Sequence, residues 1–438
     1  MSLVELAVAV SKPGRPLAIL PDGEISVERA IELGTALRPD DVVLISVVEV
    51  RTLIEILFAV DGRVAGLVLA SSALTPDTIR DLAEISGATR LVSDRTDLPE
   101  AVQPKDVFGS RQDADTETTW MMTTSGTTGI PKIVPHTLNS LSRTVRRDPL
   151  AQTPIWGLLY DMTRFAGLQV ALQSLIGGGT LAAVDTYKPL SEQVEFLAET
   201  ATSHLSATPT LWRRLLMVPN IEKLPLRQVT LGGEIADQAI LDAVSAQFPK
   251  ARITHIYAST EAGVGFAVND RKAGFPKSHL DDAPGGVGIH ISEGMLWLRP
   301  PGDRKPCYLG GQNIRVNSDG YILTGDRVEI ADNRVLFLGR DNGVVNVGGV
   351  KIHPERVERT IAAVSGVGLV HVSARANPIT GALLVATIVP VAPDADRGTL
   401  KAIIIDRCRK ELEREAVPGQ IIFVDTLEMN SAGKIRRN

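Results

Sequence analysis

Short β-branched runs alternate with longer amphipathic stretches over the first two hundred and more residues. DDVVLISV, from Asp40, is strand-like after a loop, and LIEILFAVDGRVAGLVLA follows with helical and then strand-like spacing. TPDTIRDLAEISGATRLVSD repeats the unit: Thr75 suits an N-cap, Pro76 the first helical turn and Gly87 the stop, before RLVSD returns to strand. Helical spacing recurs over 191–202 and 235–248, each leading toward a strand, SHLSA or THIYA. Alternating strands and helices predict a mostly parallel sheet covered by helices, with ligands at the carboxyl ends of the strands.

From about Gly285 the texture becomes short strands between Gly and Asp turns, as in MLWLRPP, GYILTGD and NRVLFLG, which predicts an antiparallel, barrel-like sheet. The last hundred residues read as a small α+β unit. It comprises a helix from Pro354 through Val364, strands around 367–372 and 383–389, a helix from Thr399 to Glu415 and a strand at 421–424. A chain of 438 residues exceeds the roughly 250–300 that one hydrophobic core serves, so at least two domains are expected. No repeat, low-complexity tract or long Pro/Gly/Ser linker separates the parts, which makes the boundary a short hinge.

Composition narrows the class. Hydrophobic residues at 44% and charged residues at 22% match ordinary soluble globular usage, and a net charge of -5 gives no footprint for nucleic acid. The apolar stretch from Leu53 to Leu74 is interrupted by Asp61 and Arg63, so it reads as buried helix and strand, not as a membrane span. The first residues lack a signal peptide's basic and apolar regions. Cys307 and Cys408 lie far apart without metal-ligand spacing and away from the motifs below, and a reducing cytoplasm is the expected setting.

Four segments carry chemistry. Thr123-Thr124-Ser125-Gly126-Thr127-Thr128-Gly129-Ile130-Pro131-Lys132 follows the strand-like TWMM. Its hydroxyls and glycines can present N–H and O–H donors to phosphate oxygens, although the spacing is not GxxxxGK[ST]; a surface turn is the bland alternative. Tyr257-Ala258-Ser259-Thr260-Glu261 ends a strand with a ring, hydroxyls and a carboxylate suited to a nucleotide and Mg²⁺, or simply with a solvated Glu. In Thr324-Gly325-Asp326, followed by Gly339-Arg340, a carboxylate and a guanidinium can bracket a sugar, yet Gly-Asp is common in hairpins. Asn430-Ser431-Ala432-Gly433-Lys434 can bring a point charge to a reacting centre, or be a frayed basic tail.

The four segments, in this order over more than 300 residues, resemble the adenylate-forming superfamily of acyl-CoA synthetases, peptide-synthetase adenylation domains and luciferases. The resemblance implies an α/β fold with a large N-terminal domain of mixed α/β sheets over 1–339, including a barrel-like subdomain at about 285–339. It also implies a hinge at 340–342 and a small mobile α+β domain over 343–438. ATP would lie under Thr124, Ser125, Gly126, Thr127, Thr128 and Lys132, with adenine against Tyr257 and beside Gly233 and Glu234. Thr260 would meet the α-phosphate region, Glu261 would hold Mg²⁺, and Asp326 with Arg340 would take the ribose. Lys434 would act in adenylation, and Gly348 and Gly349 would border the coenzyme A tunnel after rotation. Glu234 is equally well read as a surface acid.

The implied activity joins a small carboxylic acid to a thiol through an acyl-adenylate. Coenzyme A is the expected acceptor, with carrier-protein phosphopantetheine as the alternative and a non-catalytic nucleotide-binding relative as a weaker one. The chain departs from the family at Leu138 and Arg164, where histidines are usual, and at Asn342, the pivot position. Arg164 is expected either to face a second acidic group on the substrate or to pair with Asp161.

Overall fold

The computed structural model describes residues 1–111, 113, 115–124, 130–146, 153–302, 307–311, 314–377, 381–429 and 435. Among these, the chain up to Val268 builds two large sheets. One runs Arg90–Val92, Val42–Ile45, Gly66–Leu69, Thr119–Thr123, Ile133–His136, parallel until its last, antiparallel pair. Both faces of its central strands are buried, with Val43, Leu44, Ile45, Leu67, Val68 and Leu69 inaccessible. That is why the sequence shows unbroken apolar runs there and not alternation. The crossover helix Pro76–Ser86 is capped as its spacing predicts: the Thr75 hydroxyl accepts from the Thr78 N–H, and Gly87 closes it at φ 67°.

The second sheet has eight strands, in the order Gly263–Val268, Arg252–Ser259, Gln228–Gly232, His204–Ala207, Ile155–Leu158, Thr180–Ala183, Ala18–Leu20, Gly23–Ile25. Its interior is parallel and each edge is an antiparallel pair. The two sheets share one core, in which Phe58 and Trp120 meet Leu158, Leu168 and Leu181. Asp61 and Arg63, the charges that interrupt the apolar stretch, lie inside it. Asp61 accepts from the Leu3 N–H and from Trp120 Nε1–H, both at 2.7 Å, and Arg63 donates to the Phe58 and Ala59 carbonyls at 3.1 Å. Each buried charge therefore has partners, as burial requires. No helix among the described residues is long and apolar enough to cross a membrane.

A third, wholly antiparallel sheet runs Phe275–Pro276, Arg334–Arg340, Ile322–Ala331, Met295–Arg299, Gly288–Ser292. It is the half-barrel the sequence suggests, but it starts earlier than Gly285, because Phe275 pairs with Val335 and fills the core behind it. The small C-terminal domain has its own core. Helices Pro354–Ala362 and Arg397–Glu411 pack Val357, Ile361, Ile404 and Cys408 on strands Val367–Asn377, Gly381–Pro390 and Gln420–Phe423. Where this domain meets the half-barrel, Gly339 adopts φ 146°, and a Cβ there would fall 2.6 Å from Glu355 Oε2. Only glycine suits both the backbone and the space.

Candidate functional site

The hairpin of Thr119–Thr123 and Ile133–His136 carries the hydroxyl- and glycine-rich loop, and the described ends of that loop are pinned together. Thr124 N–H donates to the Lys132 carbonyl at 2.8 Å, and Lys132 N–H donates back to Thr124 Oγ1 at 3.2 Å. Ser125, Gly126, Thr127 and Thr128 lie outside the described residues. Thr260 and Glu261 occupy the turn between Arg252–Ser259 and Gly263–Val268, beside that hairpin. His136 Nε2, whose ring is buried, lies 3.0 Å from the Thr260 carbonyl and ties the two turns together. The family pattern at this histidine is not carried over from sequence, and only the fold reveals its contact.

At the other end, Asp326 stands 8% exposed in the strand Ile322–Ala331. Arg340, directly across the ladder, places Nε 3.0 Å from Asp326 Oδ1 and donates through NH1 to the Thr324 carbonyl at 2.8 Å. The Tyr257 hydroxyl donates to the other oxygen, Asp326 Oδ2. Burial, and then the Asp326 carboxylate, push this phenol well above its ordinary range, so it stays protonated as the donor. The Tyr257 ring stacks on Phe266 and Phe337, with centroids 5.4 and 5.2 Å away and planes within 13°. The residue expected beside adenine is thereby held rigid by the half-barrel.

Between these ends stands Tyr308, which no motif singles out. Its hydroxyl donates to Glu261 Oε1 at 2.7 Å, and Lys132 Nζ sits 4.5 Å above its ring. Cys307 therefore adjoins the cluster, contrary to the expectation that neither cysteine lies near a motif. The only sequence signal was an aromatic beside Leu309-Gly310-Gly311, too common to stand out. No cluster of three or more His, Cys, Asp or Glu able to hold a metal is found among the described residues. A single carboxylate nevertheless fits Mg²⁺, which is usually held by one or two carboxylates plus substrate phosphates and water.

Gly233 and Glu234 follow Gly232, which pairs with Ile256 next to Tyr257. Glu234 accepts from the Thr210 N–H at 2.9 Å, in the first turn of helix Pro209–Leu215, where the helix dipole favours an anion. Gly233 beside it is exposed at φ 80°. Gly348 and Gly349 form the exposed tip of the hairpin Val345–Val347/Val350–Ile352, where an added Cβ would meet nothing within 4 Å. Lys434 lies outside the described residues; its described flanks, Met429 and Ile435, pair in an antiparallel bridge.

Arg164 is 9% exposed at the start of helix Phe165–Leu175, with Nε 4.0 Å from Asp161 Oδ2 and NH1 donating to Thr123 Oγ1 at 3.4 Å. Asp161 also accepts from Ser71 Oγ at 2.5 Å and from Thr163 N and Oγ1 at 2.9 and 2.6 Å. Of the two expectations for Arg164, the pairing with Asp161 is therefore present in the fold.

Comparison with known proteins places the fold. The chain is 28% identical over 254 residues to a 2-succinylbenzoate–CoA ligase of Escherichia coli, which covers 56% of this chain and 52% of that enzyme. It is 25% identical over 407 residues to the medium/long-chain fatty-acid acyl-carrier-protein ligase FadD10 of Mycobacterium tuberculosis, covering 85% and 74%. The chain spans about half the length of several curated relatives it matches. Among solved structures it superposes on an anthranilate CoA ligase bound to anthranoyl-AMP with TM-score 0.82 at 16% identity, covering 100% and 96%. A benzoate CoA ligase from Burkholderia xenovorans gives 0.80 at 17%, covering 100% and 99%. The family model of AMP-binding enzymes matches residues 30–295, more than half of the 438, and that of the AMP-binding enzyme C-terminal domain matches 356–434. With both domain models matched in order and the corresponding two-domain fold present, the chain belongs to the adenylate-forming family of AMP-binding enzymes.

Proposed function

We propose that the protein activates a small carboxylic acid as its acyl-adenylate, with ATP as the nucleotide, and transfers the acyl group to coenzyme A. The observation that carries this reading is that Lys132 and Glu261 meet at Tyr308 while Arg340, paired with Asp326, lies within electrostatic reach of Glu261, so that three segments remote in sequence converge. The substrate carboxylate attacks the α-phosphorus, the bond to the pyrophosphate oxygen breaks, and a thiol then attacks the acyl carbonyl and displaces AMP. Little covalent work falls to the protein, whose residues orient and neutralise charge.

In this reading Asp326 and Arg340 exchange their mutual contact for the ribose hydroxyls, and Tyr257 fixes the carboxylate that does so. Lys132 and the Thr124–Thr128 loop hold the β- and γ-phosphates, Thr260 faces the α-phosphate, and Glu261 would hold Mg²⁺. The metal, when bound, supplies positive charge to the departing pyrophosphate. Lys434 approaches the carboxylate and α-phosphate in the first step. The C-terminal domain then turns about 340–342 and brings the Gly348–Gly349 hairpin, exposed in this conformation, toward the cleft for thiol transfer. Asp161 supplies the anion that buried Arg164 requires, so the reading needs no second carboxylate on the substrate. Carrier-protein phosphopantetheine is the second reading for the acceptor, supported by the likeness to FadD10 over 85% of the chain.

The test is pyrophosphate release with Mg-ATP across a panel of carboxylic acids, for the wild type and Lys434→Ala, with and without coenzyme A. Acid-dependent release should fall by roughly 10²–10³ in the variant, the scale of one lost transition-state charge contact. Acyl-CoA product identifies the acceptor, whereas adenylate without it points to a carrier protein. Wild-type protein that binds ATP but releases no pyrophosphate with any acid would overturn the reading.

A further inference from the structure

Tyr308 joins three elements that are remote in sequence. Lys132 opens the strand Ile133–His136, Glu261 lies in the turn before Gly263–Val268, and Tyr308 comes from the half-barrel's connection into Ile322–Ala331. Its segment is fastened at Leu309 by both backbone and side chain. Leu309 N–H donates to the Ile133 carbonyl at 2.9 Å, one residue from Lys132, and the Leu309 side chain packs on the core of Leu44, Val68, Ile79 and Ile133. The phenol is thus anchored where the five-stranded sheet, the eight-stranded sheet and the half-barrel meet. A phenol is protonated at neutral pH, so the hydroxyl serves as the donor to Glu261.

Two physical consequences follow from the geometry. A neutral donor on Glu261 Oε1 fixes the carboxylate's rotation without cancelling its charge, which a lysine in the same place would do. The ring meanwhile holds the Lys132 ammonium over its face by a cation–π contact. Among the described residues no ion pair joins Lys132 to Glu261. An ammonium and a carboxylate sharing one tyrosine would otherwise collapse together and leave neither for an incoming polyanion and its cation.

We propose that Tyr308 is a positioning residue that separates these two charges, aiming Glu261 at a divalent cation and Lys132 at nucleotide phosphate oxygens. The inference rests on the adenylation reading and adds to it a determinant of metal-linked nucleotide binding. Residues that orient a metal-binding group commonly change metal affinity by about 10–100-fold when removed.

Calorimetric titration of the full chain with ATP, in excess chelator and then in Mg²⁺, tests it without relying on turnover. Tyr308→Phe keeps the ring and loses the donor. Its metal-free ATP affinity should stay near wild type, while the tightening that Mg²⁺ brings should shrink about 10–100-fold. Tyr308→Leu removes the ring as well and should weaken metal-free binding too, because Lys132 becomes able to pair with Glu261. Thermal melting of both variants checks folding. A Tyr308→Phe protein with wild-type metal dependence, or one that loses metal-free and metal-linked binding equally, overturns the inference and leaves the adenylation reading standing. Wild-type protein whose ATP affinity does not respond to Mg²⁺ overturns both.

Discussion

The two ends of the site hold their carboxylates in different ways. At the end proposed for the sugar, Asp326 is buried and satisfied by a charged donor, Arg340, and a neutral one, Tyr257, on a ring clamped by Phe266 and Phe337. At the end proposed for the phosphates, Glu261 has a neutral donor, Tyr308, and the nearby cation, Lys132, lies over that donor's ring. A ribose brings only hydroxyls, so a carboxylate there can wait paired with a cation and exchange that contact for hydrogen bonds to the sugar. A triphosphate brings a polyanion and a metal, so the carboxylate there must keep its charge uncancelled. Under the proposed function, the contrast gives recognition to one end and metal-linked chemistry to the other.

The largest effect that would break this contrast is at Glu261. Glu261→Gln preserves shape and removes the charge, and pyrophosphate release should fall by about 10²–10³ with its Mg²⁺ dependence lost. A variant that keeps wild-type Mg²⁺ dependence would erase the distinction between the ends. Asp326→Asn should act differently. Loss of a charged hydrogen-bond acceptor costs about 1.5–3 kcal/mol, so ATP affinity should weaken roughly 10–100-fold while the Mg²⁺ response persists. Removing only the neutral donor, in Tyr257→Phe, should cost about 1 kcal/mol in the same titration.

The smallest effect separates the scaffold from both ends. His204, on the eight-stranded sheet against Trp156, has its pKa pushed down to about 4 by burial and then by Arg227. The unfolded chain, near 6.5, takes up that proton first, so the stability from neutral His204 is complete above about pH 6.5 and is lost as pH falls toward 4. Denaturation midpoints followed across that window should drop in the wild type and flatten in His204→Gln. Glu261→Gln and Asp326→Asn should retain the wild-type slope.

Legibility in the sequence tracked how local the cause was. Thr75, Pro76 and Gly87 marked a helix that forms with those caps, because a cap depends on neighbours within four residues. The apolar runs around Val43 and Leu67 marked buried strands. Asp326 and Arg340 were both named from sequence, and the ladder sets them opposite each other. Glu234 was left between two readings, and its engagement with the Thr210 amide was not legible, since it depends on where a helix starts 24 residues away. The roles of Ser125 to Thr128 and Lys434 remain proposals on residues outside those described.

The sequence by itself determined the element types, the ends of helix Pro76–Ser86, the change to an antiparallel texture and the order of the four chemical segments, whereas the helix expected at Thr399–Glu415 runs Arg397–Glu411. All of these follow from side-chain periodicity and turn chemistry within short windows. Tertiary structure decided that Ala18–Leu20 joins Thr180–Ala183 in the eight-stranded sheet, that Phe275 closes the half-barrel on Val335, and that Tyr308 stands between Lys132 and Glu261. Such pairings depend on which edges and faces remain open once the local elements have formed. A window of neighbouring residues carries no information about a surface supplied from a hundred residues away.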